Sequence, residues 1–387
     1  MTHIYLDYAA TTPLHPQVIH AMTDVMEHLH GNPSSIHHDG RLVKYRLSQA
    51  RDAVAAGIGA QGNEIIFTSG GTEADNLAIK GLARAYQDKG RHIITSRVEH
   101  KAIAASCEWL EQMGFEVTRL ETDQYGIVAP ETLQKALRPD TILVSLIWVN
   151  NELGSINPIR VLGEIVHQHG AIFHADAVQA LGKIPIDVAN LPVDAISLSA
   201  HKIYGPKGVG ALWLRKGVAL NALISGGAQE SNHRGGTENL TGIVGFAAAV
   251  ELMRLDFNQH TREMATLITK LESKLVELPG IRVNTHPEWR APGILNFSIA
   301  NIDGESLFIN LDRAGVAISN GSACSSGAQQ PSEILAAIGL SKDLARATLR
   351  VSIGRGTTSD EMASFVGILK NEIHKLQNTD RNRRVSA

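Results

Sequence analysis

Between Glu64 and Arg215 the chain alternates short apolar runs with amphipathic stretches of helical period. That alternation narrows the fold more than any other feature. Strands separated by helices pair in parallel, and helices then cover both faces of the sheet. "EIIFTS" leads into a helix expected from near Thr72, "RHIITS" into one from near Lys101, and "TILVSLIWV" into one from near Pro158. "AIFHADA" and "AISLSA" read as further strands. The expectation is an α/β fold with a mainly parallel sheet. Such sheets bind ligands beyond the carboxyl ends of their strands, so chemistry is sought just past each apolar run.

A long helical stretch begins near Glu238 and passes Arg262, and then the rhythm changes. "GILNFSIA", a helix from Gly304, a loop around Cys324, "ATLRVSIG" and a last helix read as a smaller α+β unit. We expect a large domain over 14–257. Residues 1–13 with 258–387 form the small one, which carries the Cys324 loop. A chain of 387 residues has ample length for both. The formal charge of −3 calls for neither nucleic acid nor an anionic membrane as a direct partner. No basic n-region followed by an apolar h-region opens the sequence, and "TILVSLIWV" is far short of a membrane span. The expected location is the cytoplasm. Two cysteines in this length are not a disulfide framework.

The stretch "SLSAHKIYGPKG" places Lys202 at the end of an apolar strand, after Ser199 and His201. A surface lysine is the plain reading. A lysine held dry beside other cations instead has a free amine, able to form a Schiff base with a carbonyl such as the aldehyde of pyridoxal phosphate. That cofactor needs a phosphate cradle and an acid for its ring nitrogen. "TSGGTEAD" follows a strand and opens a helix, so Gly71 and Thr72 offer backbone N–H groups and a hydroxyl to an anion, with Ser199 and His201 as further donors. By itself this is a weak signal, since Gly-Gly-Thr often makes only a turn and a cap. Asp176 in "FHADAVQA" ends a strand and can hold the ring nitrogen protonated, or cap a helix. Gln179 and Asn151 can each reach the ring's phenolic oxygen, and Asn151 also a substrate carboxylate. His100, after a further strand, can stack on a flat ring and move protons near neutral pH.

Cys324 lies in "SNGSACSSGAQQPSE", among glycines and serines, which reads as an exposed loop with an accessible thiol. Cys107 lies in the helical "AIAASCEWLEQMG" and reads as a buried hydrophobe. Arg350 interrupts the apolar "ATLRVSIGRG", either to clamp a carboxylate or to make a structural ion pair. Arg355 reads as structural.

Together these residues resemble a cysteine desulfurase of the nitrogen-fixation and iron–sulfur-cluster group, within the class V aminotransferase-like pyridoxal-phosphate enzymes. The resemblance is carried by "YLDYAATTPLHPQV", "HGNPSSIHHDGR", "FTSGGTEADN", "VEHKA", "VNNELGSINPI", "HADAVQALGK", "SAHKIYGPKGVG", "RGGTENL", "SNGSAC" and "LRVSIGR", in that order along nearly the whole chain. It implies an aspartate aminotransferase-like fold, with Lys202 joined to the cofactor and Asp176 on the ring nitrogen. It also implies His100 stacked on the ring and Gln179 on the phenolic oxygen. Gly71, Thr72, Ser199 and His201 would hold the phosphate, and Thr237 that of the neighbouring subunit in a homodimer. Asn151 and Arg350 would hold the carboxylate of L-cysteine. Cys324 would take the sulfur as a persulfide and pass it to a protein acceptor, for iron–sulfur assembly or tRNA thiolation. The "GSAC" context resembles this group more than related desulfurases with a different cysteine segment. Asn320 before Gly321, where small residues are common in relatives, reads as neutral. The chain after Ile373 departs from the pattern, which leaves the partner's identity open. The other readings are a selenocysteine lyase or β-lyase, a plain aminotransferase, and a non-catalytic sulfur carrier or scaffold.

Overall fold

The computed structural model describes residues 3–320 and 332–385, with side chains described as far as residue 378. Its largest element is a seven-stranded sheet. Strand β1 (Ile4–Tyr5) lies outside it. β2 (Ile65–Thr68), β3 (His92–Ser96), β4 (Glu116–Leu120) and β5 (Thr141–Ile147) are followed by β6 (Ile172–Asp176), β7 (Ala195–Ser199) and β8 (Gly210–Leu214). Their order is β2-β8-β7-β6-β5-β3-β4, and only β8 runs antiparallel to its neighbours. All seven residues of β5 are buried, as expected of a central strand covered on both faces.

Helices α1 (Pro16–His28) and α2 (His38–Ala56) come before the sheet, and α3 (Gly71–Tyr86) and α4 (Lys101–Gln112) follow β2 and β3. α5 (Pro130–Ala136) and α6 (Ile159–His169) follow β4 and β5, and α7 (Leu240–Leu275) follows β8. α3 and α4 bury Leu77, Leu82, Ile103 and Leu110 against one face of the sheet. α1, α2, α6 and the first half of α7 share the other core with Phe173 and Trp213. Each such side chain contributes roughly 1.5–3 kcal/mol on burial.

The sequence reading placed β2, β3, β5, β6 and β7 and the helices after the first three. It placed neither β4 nor β8. β4 is an edge strand with its first residue exposed, so its apolar signal is thin. β8 follows the turn around Gly208 so closely that it reads as a continuation of β7.

A second core gathers around β9 (Ile281–Val283), β10 (Ile294–Ile299), β11 (Val316–Ala317) and β12 (Thr348–Ser352). β12-β10-β9 form an antiparallel sheet, and β11 pairs in parallel with β1. The helices here are α8 (Gly304–Arg313), α9 (Glu333–Ala337), α10 (Lys342–Arg346) and α11 (Ser359–Val385). α7 supplies both cores. Val250 and Met253 belong to the first, while Met264, Ile268 and Leu271 belong to the second. Between them the helix kinks at Asp256, whose φ of −129 and ψ of 17 are not helical. Ile4 and Leu6 are buried in the second core, and the residues after them cross to the first. No helix among the described residues is long and apolar enough to cross a membrane.

Candidate active site

The candidate residues gather where the parallel strands end. Asp176 is the last residue of β6. Asn151 follows β5, His100 caps α4 after β3, and Gly71 opens α3 after β2. Lys202 ends a short 3-10 turn directly after β7. Strand ends meet along one edge of the sheet, so residues far apart in sequence converge there.

Asp176 is 3% exposed, and its Oδ1 accepts a hydrogen bond from Val178 N at 2.9 Å. Burial raises its carboxyl pKa, against His100 and Lys202, which lower it. The capping and ring-partner readings of Asp176 are thus compatible, because the second oxygen is not needed for the turn. His100 accepts from Ala102 N through Nδ1 at 3.2 Å. Burial, with Lys202 and Lys101, lowers its pKa against the pull of Asp176. The imidazole is then neutral at pH 7 with its proton on Nε2.

Lys202 Nζ donates to Ala9 O at 2.7 Å and Ala10 O at 2.8 Å. Gln179 Nε2 also donates to Ala9 O, at 2.7 Å, and leaves its Oε1 buried with no partner. Both side chains are therefore held by the segment Ala9–Ala10, which no reading of the sequence placed at the site. Gln179 Nε2 carries a second N–H besides the one given to Ala9, so a contact with a phenolic oxygen leaves that bond in place.

At the mouth of α3, Gly70 has φ 152, a conformation that strains residues with a side chain. A Cβ on Gly71 would lie 2.7 Å from Val178 Cγ2 and 3.6 Å from Ser199 Cβ. The hydroxyl of Ser199 is buried and has no partner. Thr72 is exposed in the first turn of α3. His201 Nδ1 lies 3.2 Å from Thr11 Oγ1, and burial beside Lys202 pushes its pKa down to about 4. A helix N-terminus, a bare backbone and an unengaged buried hydroxyl together form a polar cradle of the kind that binds anions such as phosphate.

Arg350 is 4% exposed and donates through Nη1 to Asn151 O at 2.8 Å and through Nη2 to Asp7 Oδ1 at 2.6 Å. Its Nε is buried without a partner, as is Asn151 Oδ1. Arg350 makes the structural ion pair and still has one donor, Nε, left over. Asp7 lies in "YLDYAATTP" and carries no motif of its own, so no sequence signal could name it as the partner. Glu152, next to Asn151, accepts from Ser332 Oγ at 2.6 Å, and burial raises its carboxyl pKa to about 7.

Thr237 is exposed in the segment before α7 and shares no hydrogen bond with the residues above. The turn preceding it is anchored. Glu230, at φ 46, takes both Arg51 Nη atoms at 2.6 Å and accepts from Phe67 N at 2.9 Å. Cys324 lies outside the described residues. Cys107 is fully buried, and burial pushes its thiol up to about 12, so it stays protonated. Arg355 makes a two-pronged ion pair with Asp256.

The orphaned buried atoms decide what fits here. Ser199 Oγ, Gln179 Oε1, Asn151 Oδ1 and Arg350 Nε converge on one edge with no protein partner, and each such group costs about 1–3 kcal/mol while it stays unpaired. Ser199 Oγ and Arg350 Nε are donors and the two amide oxygens are acceptors; with a lysine, a buried carboxyl and a neutral imidazole beside them, the set fits pyridoxal phosphate and an amino acid. Among the described residues no group of three or more His, Cys, Asp or Glu side chains is arranged to hold a metal ion.

The aminotransferase class-V family model matches residues 4–365. A cysteine desulfurase IscS from Dictyoglomus turgidum is 47% identical over 380 residues, covering 97% of this chain and 95% of that protein. A solved NifS-like protein superposes with a TM-score of 0.91 at 35% identity, covering 97% of this chain and 100% of that one. SspA, solved in complex with cysteine, superposes with a TM-score of 0.81 at 36% identity, covering 92% of this chain and 100% of that one.

Proposed function

The chain belongs to the cysteine desulfurases of the class-V aminotransferase family, which depend on pyridoxal phosphate, and from that premise we propose that it moves the sulfur of L-cysteine to Cys324 and releases L-alanine. The observation that carries the assignment of roles is the convergence of Lys202, Asp176 and His100 with four unpartnered buried polar groups. The cofactor, when bound, supplies an aldehyde that amines can join and a protonated ring that accepts electron density from the substrate α-carbon.

Asp176 would supply one negative charge to the ring nitrogen in a dry setting, where a charge pair is strong. Gly71, Thr72, Ser199 and His201 would hold the phosphate and so position the cofactor for Lys202. Lys202, once it releases Ala9 and Ala10, would be the base at the α-carbon. His100 would offer its Nε2 proton to the ring face. Arg350 Nε and the Asn151 amide bind the substrate carboxylate. The Cys324 thiolate then takes the substrate sulfur, an S–S bond forming as the C–S bond breaks. The persulfide goes on to a protein acceptor, an iron–sulfur scaffold or a tRNA-thiolating enzyme.

A homodimer in the cytoplasm completes this reading, with Thr237 reaching the partner's phosphate. Support for the dimer comes from a row of large apolar side chains on and beside α1 and α2. Ile36 is 90% exposed, and Ile19, Met26, Leu42 and Tyr45 are exposed with it. So much exposed apolar surface marks an interaction face. Light scattering of the purified protein is expected to give twice the mass of the chain.

The deciding experiment measures alanine released from L-cysteine with a reductant present, in wild type and in Cys324→Ala. Wild type is expected to make alanine and the variant none. Equal release by both would show that Cys324 is not the sulfur acceptor and that the protein is a lyase of another kind.

A further inference from the structure

Beneath Asp176, between α3 and the sheet, the otherwise apolar layer contains a chain of buried polar groups. His174 lies two residues before Asp176 on β6, so both side chains leave the strand on the same face. Its Nδ1 is 2.9 Å from Ser145 Oγ on β5, and its Nε2 is 2.9 Å from Ser197 Oγ on β7. Asp75, from α3, lies beside this chain, with its Oδ1 3.9 Å from His174 Nε2. Ser145, His174 and Ser197 are 0% exposed and Asp75 is 1% exposed. One oxygen of Asp75 has no partner.

The surroundings decide the charge of Asp75. The groups facing Asp75 are His174 and Asp176 from β6, Ser197 from β7, and Glu99 from the turn before α4. No lysine or arginine ion pair with it is formed among the described residues. His174 is the nearest basic group, at 3.9 Å, and burial pushes its pKa down to about 3, so it brings no positive charge. Asp176 and Glu99 both raise the carboxyl of Asp75, on top of its burial. Two neighbouring carboxylates in a dry layer cannot both ionise.

We propose that Asp75 is held as a neutral acid, which leaves Asp176 the single anion available to the cofactor ring. The proposal rests on the reading of Asp176 as the partner of the ring nitrogen. One carboxylate then matches one protonated ring, and the hydrogen-bond chain holds the carboxyl end of β6 without adding charge.

Infrared spectroscopy of the holoenzyme tests this directly. The wild type is expected to show the C=O stretch of a protonated carboxylic acid that shifts when aspartate alone is labelled with 13C, which separates it from Glu99. That band is expected to vanish in Asp75→Asn. The neutral amide is also expected to keep the affinity of the apoprotein for pyridoxal phosphate within about threefold, whereas loss of an ionised carboxylate near the ring would cost about tenfold or more. A wild-type protein with no aspartate-sensitive acid band overturns the proposal, as does a tenfold weaker Asp75→Asn. The wild-type band needs no variant, so the proposal can be tested even if Asp75→Asn does not fold. If the apoprotein takes up no pyridoxal phosphate at all, it is the assignment of the cofactor site that fails.

Discussion

Two polar regions lie on either side of Lys202, and they are built on opposite terms. Around the strand ends, Ser199, Gln179 and Asn151, with Arg350 from β12 beside Asn151, each leave a buried polar atom unpartnered. Around Tyr204, where the two cores meet, the side chains are paired. Arg355 grips Asp256 with both Nη atoms and lies over the Tyr204 ring, and Tyr204 Oη accepts from Arg355 N at 2.5 Å. Tyr8 donates to Arg355 O at 3.1 Å. Asp256 is the kink of α7, so this cluster also fixes how the helix passes from one core to the other. A closed polar cluster holds a shape, whereas an open one in a buried place is prepared for something the chain does not itself supply.

Substitutions can break that contrast at either region. Lys202→Ala should have the largest effect. It removes the attachment point and the base together, so turnover should fall by at least about a hundredfold for the base alone, with loss of the absorbance of the lysine-joined cofactor. An active Lys202→Ala protein would end the assignment. Next comes Arg350→Ala, which should lower kcat/KM for L-cysteine by about 10–100-fold, the worth of a charge-assisted hydrogen bond. It should also lower the melting temperature, because Asp7 loses its buried partner. Arg355→Ala, in the paired region, should leave kcat/KM within about twofold and cost only about 1 kcal/mol of stability, since its ion pair is partly exposed. Equal catalytic losses for the two arginines would erase the distinction drawn here.

The smallest effect is one of pH. Burial pushes Glu99 up to about 8 from an ordinary value near 4.5. A carboxyl with a raised folded pKa contributes stability that is complete below its unfolded pKa and is lost as pH rises through the folded value. Glu99→Gln should therefore flatten the decline in melting temperature between about pH 4.5 and 8. His201, held down to about 4, acts at the other end. As a base with a lowered folded pKa it loses its contribution as pH falls from near 6.5 toward 4. Melting curves across that range check both signs, and an unchanged slope in Glu99→Gln would show that Glu99 is ionised.

The sequence made the strand ends visible because each site residue follows a run whose period gives away its structure. Lys202, Asp176 and His100 could be found that way. Thr72 and Ser199 could be placed in a cradle, but the unpartnered state of Ser199 could not be read, since pairing depends on neighbours in space. Asp7 and the carbonyls of Ala9 and Ala10 were invisible for a second reason. Backbone oxygens have no residue-type signature, and the lone acid at position 7 lies 343 residues from the arginine it meets. Asp75 and His174 sat inside quoted motifs, yet a carboxyl and an imidazole facing each other across a helix–sheet interface look like any other polar residues until the register is known. β4 and β8 were missed for want of apolar contrast and of a clear break, respectively.

The segment that holds Lys202 also has an order of assembly built into it. Ile4 pairs with Val316, and Asp7 bridges to Ser352. During synthesis these first residues leave the ribosome early, yet their partners are among the last to appear. Domains fold largely as they emerge, so the seven-stranded sheet has all its strands before β11 and β12 exist. Thr12 and His15 already have their partners in His201 and Tyr204 by then, and the bracing of Ile4 and Asp7 is the last contact of this segment to form.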